Sequence, residues 1–250
     1  MSLHWKVREG FREAERYERA RPEYPDGAVE WLCAALRLGP GVRALELGAG
    51  TGKLTRRLAA RSDSLLAVEP MEEMRRVLRT RAPLALGLAG LAEALPLRAS
   101  SVRAVACAQS FHWFASVEAL SEIHRVLQPG GRLGLLWNQR DESAPWVREL
   151  GEILSALEDG APRYRSGRWR EAFAGHLFGP LEPMDFTFEV AGPAEAIVER
   201  IATTSLVAAL PEGRRREVLG AVRALALSQT GPEGALSLPY VTHAFYCERL

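Results

Sequence analysis

Cysteine is scarce in this chain: Cys33, Cys107 and Cys247 are odd in number and widely separated over 250 residues. No C-x-x-C pair occurs, so neither a disulfide framework nor a zinc site is indicated, and no bound metal is expected. Lysine is scarcer still, with Lys6 and Lys53 alone, so arginine carries almost all the basic charge. A formal net charge of +1 gives no electrostatic case for a nucleic-acid or membrane partner. No apolar run approaches the ~18 residues of a membrane span, and no basic segment followed by an apolar one opens the chain. Internal repeats and low-complexity tracts are missing too. The expectation is a cytoplasmic protein with an ordinary core, since 47% of residues are hydrophobic and 25% charged.

What is present begins at Ala44-Leu45-Glu46-Leu47-Gly48-Ala49-Gly50-Thr51-Gly52. A short apolar strand runs into three glycines spaced two apart, and Leu54–Ala59 then reads as a helix. Such a unit lets a ligand lie against bare backbone, because glycine accepts positive φ and carries no Cβ. A dinucleotide fingerprint places a third glycine where this chain has Lys53. Here the spacing is G-x-G-x-G, with Glu46 two residues before the first glycine.

Strand-like and helix-like segments alternate from Val42 onward. Strands are expected at Ala44–Leu47, Leu65–Val68, Leu84–Leu86, Val102–Ala108 and Arg132–Trp137, and helices at Thr51–Arg61, Met71–Arg79 and Val117–Leu127. This alternation implies parallel β-α-β units. Pro129-Gly130-Gly131 marks a strong turn into the fifth strand. Beyond Asn138 the pattern changes: Gln139–Ala161 reads as a polar helix, Glu182–Val190 alternates as a strand, Arg214–Ser228 is amphipathic, and Leu236–Cys247 reads as a closing strand. The division expected is an arm over residues 1–40, a cofactor-binding core over 41–138, an insertion carrying substrate-side elements over 139–235, and a closing strand over 236–250.

The glycine segment with its upstream acid resembles motif I of the class I S-adenosylmethionine-dependent methyltransferases. Further strings agree with it. Glu69 ends the second strand seventeen residues after Gly52, just before Pro70, where the resemblance implies ribose binding; an acid there also suits the start of the next helix. Leu91-Ala92-Glu93-Ala94-Leu95-Pro96 resembles the A-E-x-L-P segment beside the adenine, with Leu91 and Ala92 at the base. Ala108-Gln109-Ser110-Phe111-His112-Trp113-Phe114 is similar to the A-x-x-x-H-W-F segment of the small-molecule branch that includes trans-aconitate methyltransferase. Tyr17–Pro25 and Leu238–His243 resemble that branch's Y-x-x-x-R-P-x-Y-P arm and L-P-Y-x-T-H strand, so the likeness spans nearly the whole chain.

The resemblance implies a Rossmann-like α/β fold: seven strands, mostly parallel, with helices on both faces, an N-terminal arm and an insertion after the fifth strand. It implies S-adenosylmethionine as cofactor, held by Glu46, Gly48, Ala49, Gly50, Gly52, Glu69, Pro70, Leu91, Ala92 and Gln109. Tyr17, Arg21 and Tyr24 become candidate lid residues, and His112 and Trp113 line the mouth, His112 as a base or as a hydrogen-bonded wall. The acceptor is expected to be a small molecule methylated on oxygen, at a carboxylate or a hydroxyl. No N/D-P-P-Y/F string and no P-C or T-C pair points to bases. A non-catalytic cofactor-binding protein and a nicotinamide-dependent oxidoreductase remain as alternatives. Oligomeric state has no signature here. The arginine- and aromatic-rich stretch Arg163–Arg170 reads as an anion-facing surface or as a solvated, stacked face.

Overall fold

In the computed structural model, which describes residues 14–157, 160–231 and 234–250, the short apolar segments pair into one sheet. Its strands are β1 Arg43–Leu47, β2 Ser64–Val68, β3 Leu86–Leu88, β4 Val102–Ala108, β5 Leu127–Arg140, β6 Glu182–Pro193 and β7 Ala235–Glu248. The order is β3-β2-β1-β4-β5-β7-β6. The first five are parallel, and β7 runs antiparallel between β5 and β6. This is the expected Rossmann-like methyltransferase sheet. The chain order reverses beside β1, so the carboxyl ends of β1 and β4 flank a crevice in which open α/β sheets bind ligands.

Helices cover both faces because the central strands are apolar on both. α1 Ala14–Ala20 leads into α2 Asp26–Ala35, which shares one face of the sheet with α3 Thr55–Ala59, the helix after β1. The α2 residues Ala28, Val29, Leu32 and Cys33 share one stripe and meet Leu136 and Ala244 of the sheet. Close approach is possible because Gly134 lies beneath: a Cβ there would stand 2.5 Å from Leu32 Cδ1. After β2 comes α4 Glu72–Arg81. On the opposite face α5 Val117–Val126 buries Ala119, Leu120, Ile123 and Val126, and Ser116 caps it by accepting from the Ala119 N–H at 3.1 Å. A further layer holds α6 Pro145–Ser155, α7 Ala194–Ala202, α8 Ser205–Ala208 and α9 Glu212–Ser228, with Leu150, Leu154, Ile201, Val218 and Val222 forming its core. Among the described residues no helix is long and apolar enough to cross a membrane.

Several boundaries differ from the sequence pattern. The third strand is Leu86–Leu88 instead of Leu84–Leu86, because a turn closed by Ala85 N–H to Ala82 O occupies the preceding residues and leaves Leu84 exposed. The helix expected over Thr51–Arg61 begins only at Thr55, since Gly52, at φ +92°, breaks right-handed winding. Gln139 and Arg140 extend β5 opposite Val241 and Tyr240, which delays the following helix to Pro145. The strand foreseen at Glu182–Val190 reaches Pro193 and forms the edge of the main sheet. Residues 1–13 of the expected arm, with 158–159 of the expected polar helix and 232–233 of the insertion, lie outside the described residues.

Leu32 has no exposed surface and seats α2 on Gly134, so Leu32→Ala should lower the unfolding free energy by about 2–5 kcal/mol. Denaturant unfolding measures this; a loss below about 1 kcal/mol would contradict the packing described.

Candidate active site

The end of β1 turns sharply through Gly48 at φ +65° and Gly50 at φ +57°. A Cβ on Gly48 would fall 2.5 Å from the Ser110 Cβ, whose hydroxyl donates to Leu47 O at 2.8 Å. The loop is pinned from the next strand. Glu69 is buried and accepts from the Gly50 N–H through Oε2 and the Met71 N–H through Oε1, both at 2.9 Å. Burial raises its carboxyl above the usual range, against the pull of these two donors. Ala49 lies between, its N–H donating to Val68 O at 3.2 Å.

Glu46 sits deeper, 1% exposed, and its Oε2 accepts from the Thr55 hydroxyl at 2.6 Å. Burial pushes its carboxyl up to about 8. These residues line a cleft of about 1130 Å³, part of it open to solvent, with Pro70, Leu91, Ala92, Gln109 and Trp113 completing the walls. The cleft therefore gathers every cofactor position read from the sequence except Gly52. That glycine stands behind the loop against α4, where a Cβ would meet Leu78 Cδ1 at 2.8 Å. Its contribution is to shape the turn.

S-Adenosylmethionine fits this cleft on two grounds. The positive-φ loop leaves backbone bare at Gly50, where a Cβ would find nothing within 4 Å, and the buried acids Glu46 and Glu69 suit a cationic ligand.

A second chamber opens beyond Gln109 and Trp113 and shares Tyr17, Tyr24 and Lys53 with the first. Gln109 marks the junction: it holds φ +54°, rare outside glycine, while its side chain donates to Asn138 O at 2.9 Å. His112 belongs to this chamber. Trp137 Nε1 donates to His112 Nδ1 at 3.0 Å, and burial, with Arg163 nearby, pushes the imidazole down to about 3. A neutral ring whose Nδ1 accepts must carry its hydrogen on Nε2, so His112 is a donor to the chamber and a poor base. Trp113 packs beside it with centroids 5.1 Å apart.

The chamber walls also include Arg21, Asn138, Arg140, Arg163, Arg165, Arg200 and Tyr240, and no Asp or Glu lines it among the described residues. The Arg163–Arg170 stretch thus divides. Arg163 and Arg165 border the chamber, Tyr164 and Trp169 pack at a tilt against Trp137, and Arg170 lies over Trp169 at 4.3 Å.

The arm spans both chambers. Buried Glu18 binds Lys53, Arg56 and the Thr51 hydroxyl, Glu23 binds Lys53 at 2.8 Å, and Arg16 reaches Glu199 on α7. Tyr24 is buried, and Arg21 lies over the Tyr17 ring at 5.1 Å. Sequence reasoning missed this network and the roles of Asn138, Arg140 and Arg200. Lys53 in the third-glycine position was the one available sign.

A family model described as a methyltransferase domain matches residues 45–135. An uncharacterized methyltransferase-like protein of Schizosaccharomyces pombe is 39% identical over 236 residues, covering 93% of this chain and 92% of its own. An uncharacterized methyltransferase of Mycobacterium tuberculosis is 41% identical over 228 residues, covering 90% of this chain and 89% of its own. Among solved structures, a provisionally assigned type II methyltransferase from Anaeromyxobacter dehalogenans aligns with TM-score 0.71 at 24% identity, covering 92% of this chain and 97% of that one.

Two outcomes follow from the cleft geometry. Gly48→Ala forces a Cβ into Ser110 and strains the positive φ, so methyl-donor affinity measured by calorimetry should fall at least tenfold while circular dichroism stays native. Unchanged affinity would mean that the loop is not the donor seat. Glu46 holds a proton in the folded state from the ordinary carboxyl range up to about 8, where the unfolded chain has released it. Folded stability therefore falls through that window as pH rises, and Glu46→Gln removes the fall. Denaturant unfolding at pH 5, 6.5 and 8 should show the variant gaining on the wild type; parallel profiles would place Glu46 in a solvated setting.

Proposed function

The chain belongs to the methyltransferase family, with S-adenosylmethionine as its methyl donor, and from that premise we propose that it methylates a carboxylate oxygen of a small organic acid. The observation that carries this reading is the second chamber, which is lined by arginines and contains no acidic side chain among the described residues.

A hydroxyl or ammonium acceptor must lose a proton at or before attack, and a positioned base is typically worth ~10²–10⁴-fold. The chamber offers none. His112 Nδ1 is taken by Trp137, and its ring is pushed down to about 3. Burial raises Tyr17 and Tyr24, keeping both phenols protonated. Lys53 is held in ion pairs with Glu18 and Glu23. A carboxylate needs no base, and neighbouring guanidinium groups keep it ionised.

When bound, S-adenosylmethionine supplies a sulfonium methyl group open to in-line attack. The residues of the chain then bind, orient and exclude water. In this reading Glu69 keeps a lone pair on each oxygen for the ribose hydroxyls beyond its bonds to Gly50 and Met71. Glu46 faces the amino-acid end, and the backbone of Gly48, Ala49 and Gly50 borders the cofactor. Leu91, Ala92 and Pro70 surround the adenine. His112 Nε2–H and Gln109 position the acceptor at the junction, Trp113 walls it, and Tyr17, Arg21 and Tyr24 close the mouth as part of the arm. Family membership sets aside the nicotinamide alternative.

The test is methyl transfer from labelled S-adenosylmethionine into a panel of small carboxylic acids, alcohols and amines. Base-labile methyl esters are expected from the acids alone, with kcat flat between pH 6 and 9. His112→Asn should raise KM and lower kcat less than tenfold. Ether or amine products, or a hundredfold loss of kcat in His112→Asn with a wild-type titration near pH 6–7, would overturn the proposal.

A further inference from the structure

Many of the arginines have an acidic partner. Arg16 pairs with Glu199, Arg56 with Glu18, Arg125 with Glu122, and Arg223 with Glu195. Three arginines of the second chamber do not. The Arg140 side chain makes no hydrogen bond or ion pair among the described residues, and its Nε is buried without a partner. Glu142 lies near it without bonding to it: its Oε2 pairs with Arg165, and its Oε1 is buried without a hydrogen-bond partner. Arg200, 8% exposed, gives Nε to Ala20 O at 2.9 Å, and its second guanidinium nitrogen, Nη1, is buried and unpartnered. Arg21 reaches Thr203 O through Nη2 at 3.3 Å and leaves Nε unpartnered.

Tyr240 connects two of these arginines. Arg140 and Tyr240 are register partners of β5 and β7, and the Arg200 guanidinium lies over the Tyr240 ring at 5.9 Å. Tyr240 is itself fixed by stacking on Phe188, with centroids 5.2 Å apart. Both arginines line the second chamber and neither borders the donor cleft, whereas Gln109 and Trp113 border both. The reacting group therefore belongs at the junction, and the arginine pair lies beyond it.

A guanidinium taken from water without a counter-charge or full hydrogen bonding is costly, and a planar or tetrahedral oxyanion answers its fork of donors. We propose that Arg140 and Arg200 form a distal anion subsite, so that the acceptor carries, besides the carboxylate that is methylated, a second anionic group, carboxylate or phosphate. This rests on the reading of the acceptor as an acid. Arg21, on the arm, lines the same chamber and, with Arg165, adds to the positive charge around Arg140. The consequence is selection by charge: a monoacid leaves the distal guanidinium groups unanswered, whereas a diacid spans both points and its monoester keeps one negative charge.

The test compares linear dicarboxylates of four to six carbons and 3-phosphonopropionate with monocarboxylates of equal length. Binding is followed by calorimetry on wild type loaded with S-adenosylhomocysteine, and methyl transfer is followed separately. At least a tenfold preference in Kd and KM for the doubly charged acids is expected. Arg140→Gln should bring the preference towards one, and Arg140→Lys should keep part of it. Unaltered S-adenosylhomocysteine affinity in both variants shows that they fold. Preference for the phosphonate identifies a phosphate-type tail, and preference for the dicarboxylates a carboxylate tail. Equal binding of mono- and diacids, or a preference that survives in Arg140→Gln, would overturn the subsite. Tight diacid binding through Arg140 without methyl transfer would overturn the acceptor assignment and leave the subsite standing.

Discussion

One buried carboxylate holds the donor side of this molecule together. Glu69 stands at the carboxyl end of β2 and receives one backbone N–H from the glycine loop after β1 and one from the start of α4. It is the point at which two β-α units are tied across a crevice. Charge-assisted bonds of this sort are stronger than neutral ones and hold their partners at fixed distance. The loop therefore keeps its bare backbone presented without help from the ligand. Burial works against the ionised form, so the arrangement depends on those two donors and on Arg75, which reaches Glu69 O.

The two chambers differ in the charge they can carry, and a bound cation would favour release of the proton that burial holds on Glu46. The first buries Glu46 and Glu69; the second is walled by arginine and lined by no acid among the described residues. A cationic methyl donor and an anionic acceptor would each find complementary charge, and they would meet at Gln109 and Trp113, which both chambers share. Charge neutralisation during transfer is favoured where water is excluded, and the arm supplies the roof. Glu18 and Glu23 bind the loop through Lys53, while Arg16 and Arg21 bind α7 and the residue that follows it. Lys53 thus occupies the third-glycine position for a reason: it anchors the arm over the cleft.

His112 illustrates how tertiary structure sets the chemistry of a side chain. Its neighbours Phe111, Trp113 and Phe114 are legible in sequence and imply an apolar setting. The partner that determines its tautomer is Trp137, on the adjacent strand β5, twenty-five residues away. That one bond makes the ring a donor to the second chamber.

The donor half was legible because its information is local. Glu46 to Gly52 is a contiguous strand and turn, and Glu69 and Pro70 follow at the end of the next strand, so the family resemblance could be read from short stretches of chain. Apolar segments buried on both faces likewise announced the parallel sheet. Strand and helix ends were blurred where a turn or a paired neighbour overrode local preference, as at Leu84 and at Gln139–Arg140. The second chamber was decided by tertiary structure. Arg21, His112, Arg140, Arg200 and Tyr240 are scattered along the chain and meet only because β7 inserts antiparallel beside β5, while α7 packs under the arm. A sequence shows that arginines are numerous; pairing distance decides which of them lack a counter-charge, and long-range register sets that distance.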